Sequence, residues 1–225
     1  MAEGAGQRHD HGVRRLTPGF FITLEGGEGG GKSTQGKRLA AHLQERGAEV
    51  LFTREPGGTP QGEALRALLV SGDTGTWSPA SEAMLMSAAR EVHVRTVIGP
   101  ALARGATVVC DRFMDSTRVY QGHAGGVPHD VISALEQAAV GTCVPHLTLI
   151  FDLPAAVGLE RARTRGAGTE DRFERKGLAF HDKLREGFRA IAENEPWRCV
   201  LIDAALGPDE VFAQVLQAVE SHRHG

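Results

Sequence analysis

The stretch Gly26-Gly27-Glu28-Gly29-Gly30-Gly31-Lys32-Ser33-Thr34 restricts this chain more than any other. It fits G-x-x-x-x-G-K-[ST], a loop that surrounds phosphate. A polyphosphate tail is anionic and crowded with acceptor oxygens, so holding one takes several backbone N–H groups aimed at one spot. Glycines reach the left-handed backbone region and carry no side chain to block approach. Lys32 supplies a mobile cation for the outer phosphates and Ser33 a hydroxyl that can ligate Mg²⁺. The helix starting near Lys32 adds its positive end. The competing reading is a merely flexible glycine loop, and the flanks oppose it. Phe20-Phe21-Ile22-Thr23-Leu24 is an apolar run of the kind buried parallel strands show, and 37–43 reads as an amphipathic helix. Strand, loop, helix is the context the motif needs.

The alternation continues down the chain. Strands are predicted at about 20–25, 49–53, 106–111, 147–152 and 199–203. Between them come helices from the loop to about 46, at 60–70, from 79 towards 104 with Pro100 a kink or break, at 130–140, at 154–163 and at 173–194. A last helix covers 208–221, and 113–127 reads as a loop with a short helical piece. Such alternation implies βαβ units and a five-stranded parallel sheet flanked by helices, an α/β fold with ligands at the carboxyl ends of the strands. The loop, Arg54-Glu55, Asp111-Arg112 and Asp152 all fall at that end. No repeat or interdomain linker is visible, so 18–222 reads as a single domain.

Composition narrows the class of function. A net charge of −3 gives no global basic field for nucleic acid. No apolar run is long enough to cross a bilayer, and no secretory apolar region stands near the start. Three cysteines without a C-x-x-C pair fit a reducing cytoplasm, Cys110 and Cys199 as core fillers. Residues 1–17, with Arg8, His9, His11, Arg14 and Arg15, read as a disordered tail rather than a basic arm or metal tract, because core-forming residues are missing. His222 and His224 get the same reading.

Several charged groups add chemistry. Asp111 closes a buried strand, where a carboxylate needs a partner, and Mg²⁺ through water is one. Arg112 beside it can fork onto phosphate oxygens; the bland reading of the two is a local surface ion pair. Arg90, after Ala88-Ala89, is either turned inward or a solvated helix charge. Arg161, Arg163 and Arg165 precede the break Gly166-Ala167-Gly168. They read either as cations at a helix end or as a glycine-hinged lid, about 161–173, that closes over phosphates, with Glu170, Asp171 and Arg172 as a latch.

With these residues in place, the chain resembles the bacterial thymidylate kinases from about 20 to 218. The resemblance rests on LEGGEGGGKST at 24–34, TREPGGT at 53–59, Ala89-Arg90, DRFMDSTRVYQG at 111–122, RARTRG at 161–166 and DRFERKGLAFHDKLREGF at 171–188. It implies a P-loop NTPase fold and transfer of phosphate from ATP to dTMP with Mg²⁺, a step towards dTTP. It also implies roles. ATP phosphates lie on 26–34, with Arg161 on the ATP side; Glu28 sits near the dTMP sugar and phosphate; Arg112 grips the dTMP phosphate. Ser33 and Asp111 stand on the metal side, and Glu55 in the dTMP site. Arg90 contacts the thymine edge, and Ser116, Thr117, Tyr120 and Gln121 surround base and deoxyribose, Tyr120 disfavouring a 2′-hydroxyl. Having no arginine in the loop and three in the lid, the chain is similar to the branch whose lid, here Arg163 or Arg165, reaches the transferring phosphoryl. One departure is Met86, where relatives stack a phenylalanine on the base; Phe113 or another aromatic could contribute. The family also implies a homodimer, through the helix near 80–104 and its neighbour. Two alternatives stay open from the sequence: another nucleoside monophosphate kinase, or a nucleotide-dependent switch, the latter lacking any N-K-x-D segment.

Overall fold

The computed structural model describes residues 19–164 and 172–223. The sequence expectations for the tail at 1–17, and for Arg165, Gly166, Ala167, Gly168, Glu170, Asp171 and His224, fall outside the described residues.

Five strands form one parallel sheet: β1 (Phe20–Gly26), β2 (Val50–Arg54), β3 (Thr107–Asp111), β4 (Leu147–Asp152) and β5 (Cys199–Asp203), in the order β2-β3-β1-β4-β5. The phosphate-binding strand β1 lies at the centre, with β3 and β4 on either side, so the residues after β1, β3 and β4 emerge together. Alternate β1 side chains serve opposite faces. Ile22 and Leu24 pack with Leu39 and Leu43 of α1 (Lys32–Glu45) and with Val215 and Val219 of α9 (Pro208–Arg223). Phe21, on the other face, packs with Ile98, Ala101 and Phe113. Thr23 and Glu25 share that second face and are fully buried: Thr23 hydrogen-bonds the Thr148 hydroxyl at 2.8 Å, and Glu25 lies under the loop that follows β3.

The remaining helices are α2 (Pro60–Val70), α3 (Pro79–His93), α4 (Gly99–Ala103), α5 (Met114–Thr117), α6 (His129–Ala139), α7 (Ala155–Thr164) and α8 (Leu178–Asn194). Thr59 and Ser78 cap α2 and α3, each hydroxyl accepting from an N–H three residues on, with proline in the first turn.

The helical run from 79 continues to Ala103 with the expected irregularity before Pro100: α3 ends at His93, and a wider π-helical turn, Val94–Ile98, leads into α4. Pro100 has no N–H for the carbonyl of residue 96, and the wider turn accommodates the missing bond. Two expectations need correcting. The helix expected from 173 starts at Leu178 after Gly177, because Arg172 and Phe173 are drawn into other contacts. His222 is not in a frayed end. It sits in the last turn of α9, with Nδ1 3.0 Å from the Ala218 carbonyl, and Arg223 ties that turn to Thr107 Oγ1 at 2.7 Å.

Candidate active site

Gly26 and Gly29 show why the loop after β1 is glycine-rich. Both have positive φ, 127° and 71°. A Cβ on Gly26 would stand 2.5 Å from the Phe151 carbonyl oxygen, and one on Gly29 would stand 2.1 Å from that of Gly158. The main chain is thus wedged between β4 and α7 before turning into α1 at Gly31, φ 83°. Lys32 Nζ is buried and donates to the carbonyls of Gly26 (3.1 Å) and Gly27 (2.5 Å). Burial, and then the neighbouring Arg112, lower the Lys32 ammonium to about 8, against the pull of Glu28 and Asp111. Ser33 Oγ donates to Asp111 Oδ2, joining the loop to the end of β3.

Arg112 is the described non-glycine residue with positive φ, 68°. That backbone is costly for a side-chain-bearing residue and persists where surroundings hold it. Here its N–H donates to the Leu24 carbonyl, and the guanidinium donates to Gly26 O (2.9 Å), Ser116 Oγ (3.3 Å) and Glu28 Oε1 (2.8 Å). Its carbon lies 5.1 Å from the centre of the Tyr120 ring. The Tyr120 hydroxyl donates to the same Glu28 oxygen at 2.7 Å. Burial alone would raise the Glu28 carboxyl; Arg112, then Lys32 and the Tyr120 hydroxyl, outweigh it and hold the group at about 2.

These groups border a cavity of about 450 Å³. Its wall holds Glu28 to Thr34 of the loop, Asp111, Arg112, Ser116, Thr117, Tyr120 and Gln121, and also Glu55, Met86 and Arg90. Arg90 is turned inward, not solvated: 3% exposed, it donates to Glu55 Oε2 (2.7 Å), Thr117 Oγ1 (3.1 Å) and Phe113 O (2.9 Å). Phe113 is buried under Arg90 and against Phe21. Phe173, also on the wall, meets the Tyr120 ring edge-on at 5.5 Å. Arg161 and Arg163 are not among the described residues of this wall: Arg161 Nη1 donates to Ala204 O at 2.8 Å, and Arg163 is exposed near Glu160. Asp152 is committed to Arg185 and Arg189 of α8, at 2.7 and 2.8 Å.

Sequence reasoning passed over several residues. Glu25 accepts from the main-chain N–H of Phe113 and Ser116 and from the Ser116 hydroxyl, so it holds the turn that aims Arg112. His93, fully buried, bridges Thr53 and Glu55. Arg66 also borders the cavity, as does Arg54, which the sequence places at the ligand end of the strands without a role. A charged residue closing an apolar strand was the available signal for Glu25; His93 gave none beyond its place in a helix.

A thymidylate kinase family model matches residues 24–215. The chain belongs to the thymidylate kinase family. It is 56% identical to the thymidylate kinase of Caulobacter vibrioides over 204 residues, covering 91% of this chain and 97% of that one. It is 52% identical to that of Bradyrhizobium sp. over 202 residues, 89% of each chain. Among solved structures, the crystal structure of thymidylate kinase from Ehrlichia chaffeensis superposes with a TM-score of 0.73 at 31% identity, covering 90% of this chain and 99% of that one. The matched region runs from the end of β1 and its loop through the β3–α5 segment, so both halves of the cavity wall lie within it.

Proposed function

We infer that this chain transfers the γ-phosphoryl of ATP to the 5′-phosphate of dTMP, giving dTDP and ADP, a step in supplying dTTP for DNA replication. The observation that carries the reading is a single cavity whose wall is shared by the phosphate loop and by the Glu55, Arg90, Arg112 and Tyr120 group, in a chain of the thymidylate kinase family. Two anionic tails can meet there, one on main-chain amides and one on a guanidinium.

In such a transfer the protein positions the reactants and neutralises charge. The loop 26–34 and Lys32 hold the ATP phosphates, with Arg161 and the arginines Arg163 and Arg165 on the donor side. Arg112 holds the acceptor phosphate and is aimed by Glu28. That phosphate is already ionised at neutral pH, so no strong general base is required. Arg90, Thr117, Gln121 and Met86 face the base, and Ser116 and Tyr120 the deoxyribose; the segment 161–173 acts as the lid.

The residues present suit Mg²⁺. Ser33 Oγ and Asp111 Oδ2 are hard oxygen donors side by side at the loop, and among the described residues no cluster of three or more His, Cys, Asp or Glu forms a protein cage. Mg²⁺ keeps several waters and binds through few protein oxygens plus substrate phosphates. Bound there, it would neutralise phosphate charge.

Membership of the family is the ground for expecting a homodimer, through α3 and its neighbour. Free cysteines, and the absence among described residues of a helix long and apolar enough to cross a membrane, accord with a cytoplasmic enzyme. The test is a panel of acceptors, dTMP, dUMP, dCMP, UMP and AMP, with ATP and Mg²⁺. Preference for dTMP is expected; ATP hydrolysis indifferent to every monophosphate would overturn the reading.

A further inference from the structure

Behind the cavity wall, Gln121, Glu82 and Arg172 form a buried relay. Arg172 is fully buried, and its Nη2 donates to Glu82 Oε1 at 2.6 Å. The rest of its guanidinium is held by main chain: Nε donates to Leu69 O at 2.6 Å and Nη1 to Thr74 O at 3.3 Å. Glu82, 1% exposed, gives its second oxygen to Gln121, whose Nε2 donates to Oε2 at 2.9 Å. Lys176 Nζ stands 3.9 Å from Glu82 Oε1 and reinforces the pair. Gln121 itself is on the wall of the cavity.

A carboxylate in an ion pair only accepts, whereas an amide has one donating and one accepting end. Glu82 therefore decides how the Gln121 amide lies. The NH₂ is committed to the buried carboxylate, and the carbonyl oxygen is the end left for the cavity. We propose that the Arg172–Glu82 pair is a specificity-determining positioning device that presents Gln121 as an acceptor, selecting a pyrimidine with N–H at position 3 over one with a lone pair there. This rests on reading the cavity as the dTMP site. Thymine and uracil carry that N–H, and cytosine does not. Against the Gln121 carbonyl, cytosine would set two acceptors face to face and leave both unpaired, the mismatch that discriminates strongly in buried sites. Arg172, gripped by two main-chain carbonyls, keeps Glu82 from turning away and releasing the amide.

Glu82→Gln tests this. The new amide keeps an oxygen for Arg172 and turns its NH₂ towards residue 121, so Gln121 must offer its carbonyl inward and its NH₂ to the cavity. The ratio of kcat/KM for dTMP to that for dCMP is expected to fall about tenfold or more, the scale of one buried hydrogen bond gained or lost. The change should lie mainly in the acceptor KM, with the KM for ATP steady. A purely structural role would lower both acceptors alike, and an unchanged ratio in a folded variant would overturn the proposal. If circular dichroism shows Glu82→Gln unfolded, Arg172→Lys keeps the cation and loosens the fork; a fall of about threefold in the same ratio supports the relay and an unmoved ratio overturns it. Wild-type enzyme indifferent to dTMP and dCMP would instead sink the functional reading itself.

Discussion

Arg112 Nη2 donates to Glu28 Oε1 across 2.8 Å, so a residue at the end of β3 is aimed by a carboxylate inside the phosphate loop. Both side chains are 18% exposed, which makes the pair far less screened than a surface bridge. Glu28→Gln is expected to lower kcat with dTMP about tenfold or more, because Arg112 loses its guide, while the KM for ATP changes less. Arg112→Ala removes the guanidinium itself and should cost about 10²-fold or more in kcat, the usual loss for one preorganised charge-stabilising donor. Steady-state kinetics with dTMP varied at saturating ATP measures both. Near-full turnover by Arg112→Ala would contradict the assignment.

Lys32 sets an alkaline limit. At about 8, its ammonium loses its proton well below the ordinary range for lysine, and the cation for the outer phosphates goes with it. kcat/KM for ATP should therefore fall above about pH 8, roughly tenfold per pH unit, while kcat at saturating ATP holds to higher pH because bound phosphates favour the charged form. Lys32→Ala should remove this limb together with most activity. A kcat/KM profile flat to about pH 9.5 in the wild-type enzyme would count against it.

Glu25 makes stability depend on pH in the opposite sense to an ordinary carboxylate. Burial, and then the Asp115 carboxylate, push it from 4.5 up to about 7. The folded chain keeps a proton that the unfolded chain releases between those values. Its contribution is thus fully present below 4.5 and lost as pH rises through about 7. Glu25→Gln fits the same site: the carbonyl oxygen accepts from Phe113 and Ser116 N–H, and the amide donates to Ser116 Oγ. Relative to Glu25→Gln, wild-type Tm should decline from pH 4.5 to 7, leaving the variant ahead by a few degrees above the window, since about 1 kcal/mol moves Tm by roughly 2–4 °C at this size. Parallel melting curves across that range would contradict the account.

The strands could be read from sequence because both faces of a parallel sheet are covered, which turns each strand into an apolar run such as 147–151. The loop was legible because its chemistry is local: amides, Lys32 and the Ser33 hydroxyl within nine consecutive residues. What escaped was the support behind it. Glu55 meets His93 across 38 positions and Arg172 meets Glu82 across 90, and neither helical periodicity nor composition reports contacts so far apart in the chain. Arg172 reads from the sequence as part of a latch on the lid; its full burial depends on carbonyls supplied by the end of α2 and by Thr74.

Met86 borders the cavity on a half-buried stretch of α3. Met86→Phe should lower the KM for dTMP about three- to tenfold, since a rigid ring face stacks on a base better than a thioether chain does, by about 0.5–1.5 kcal/mol. The KM for ATP should stay unchanged. Titration of dTMP by calorimetry provides the check, and weaker binding by a well-folded variant would place the base elsewhere.

The central claim is that Arg112 holds the acceptor phosphate end to end with the donor phosphates on the loop. A crystal structure with dTMP and a non-hydrolysable ATP analogue tests it most directly. The Arg112 guanidinium is expected within hydrogen-bonding distance of the dTMP 5′-phosphate, with the analogue's terminal phosphate between that group and Lys32. A complex in which Arg112 keeps only its bonds to Gly26 and Glu28 while the monophosphate binds out of its reach would contradict it.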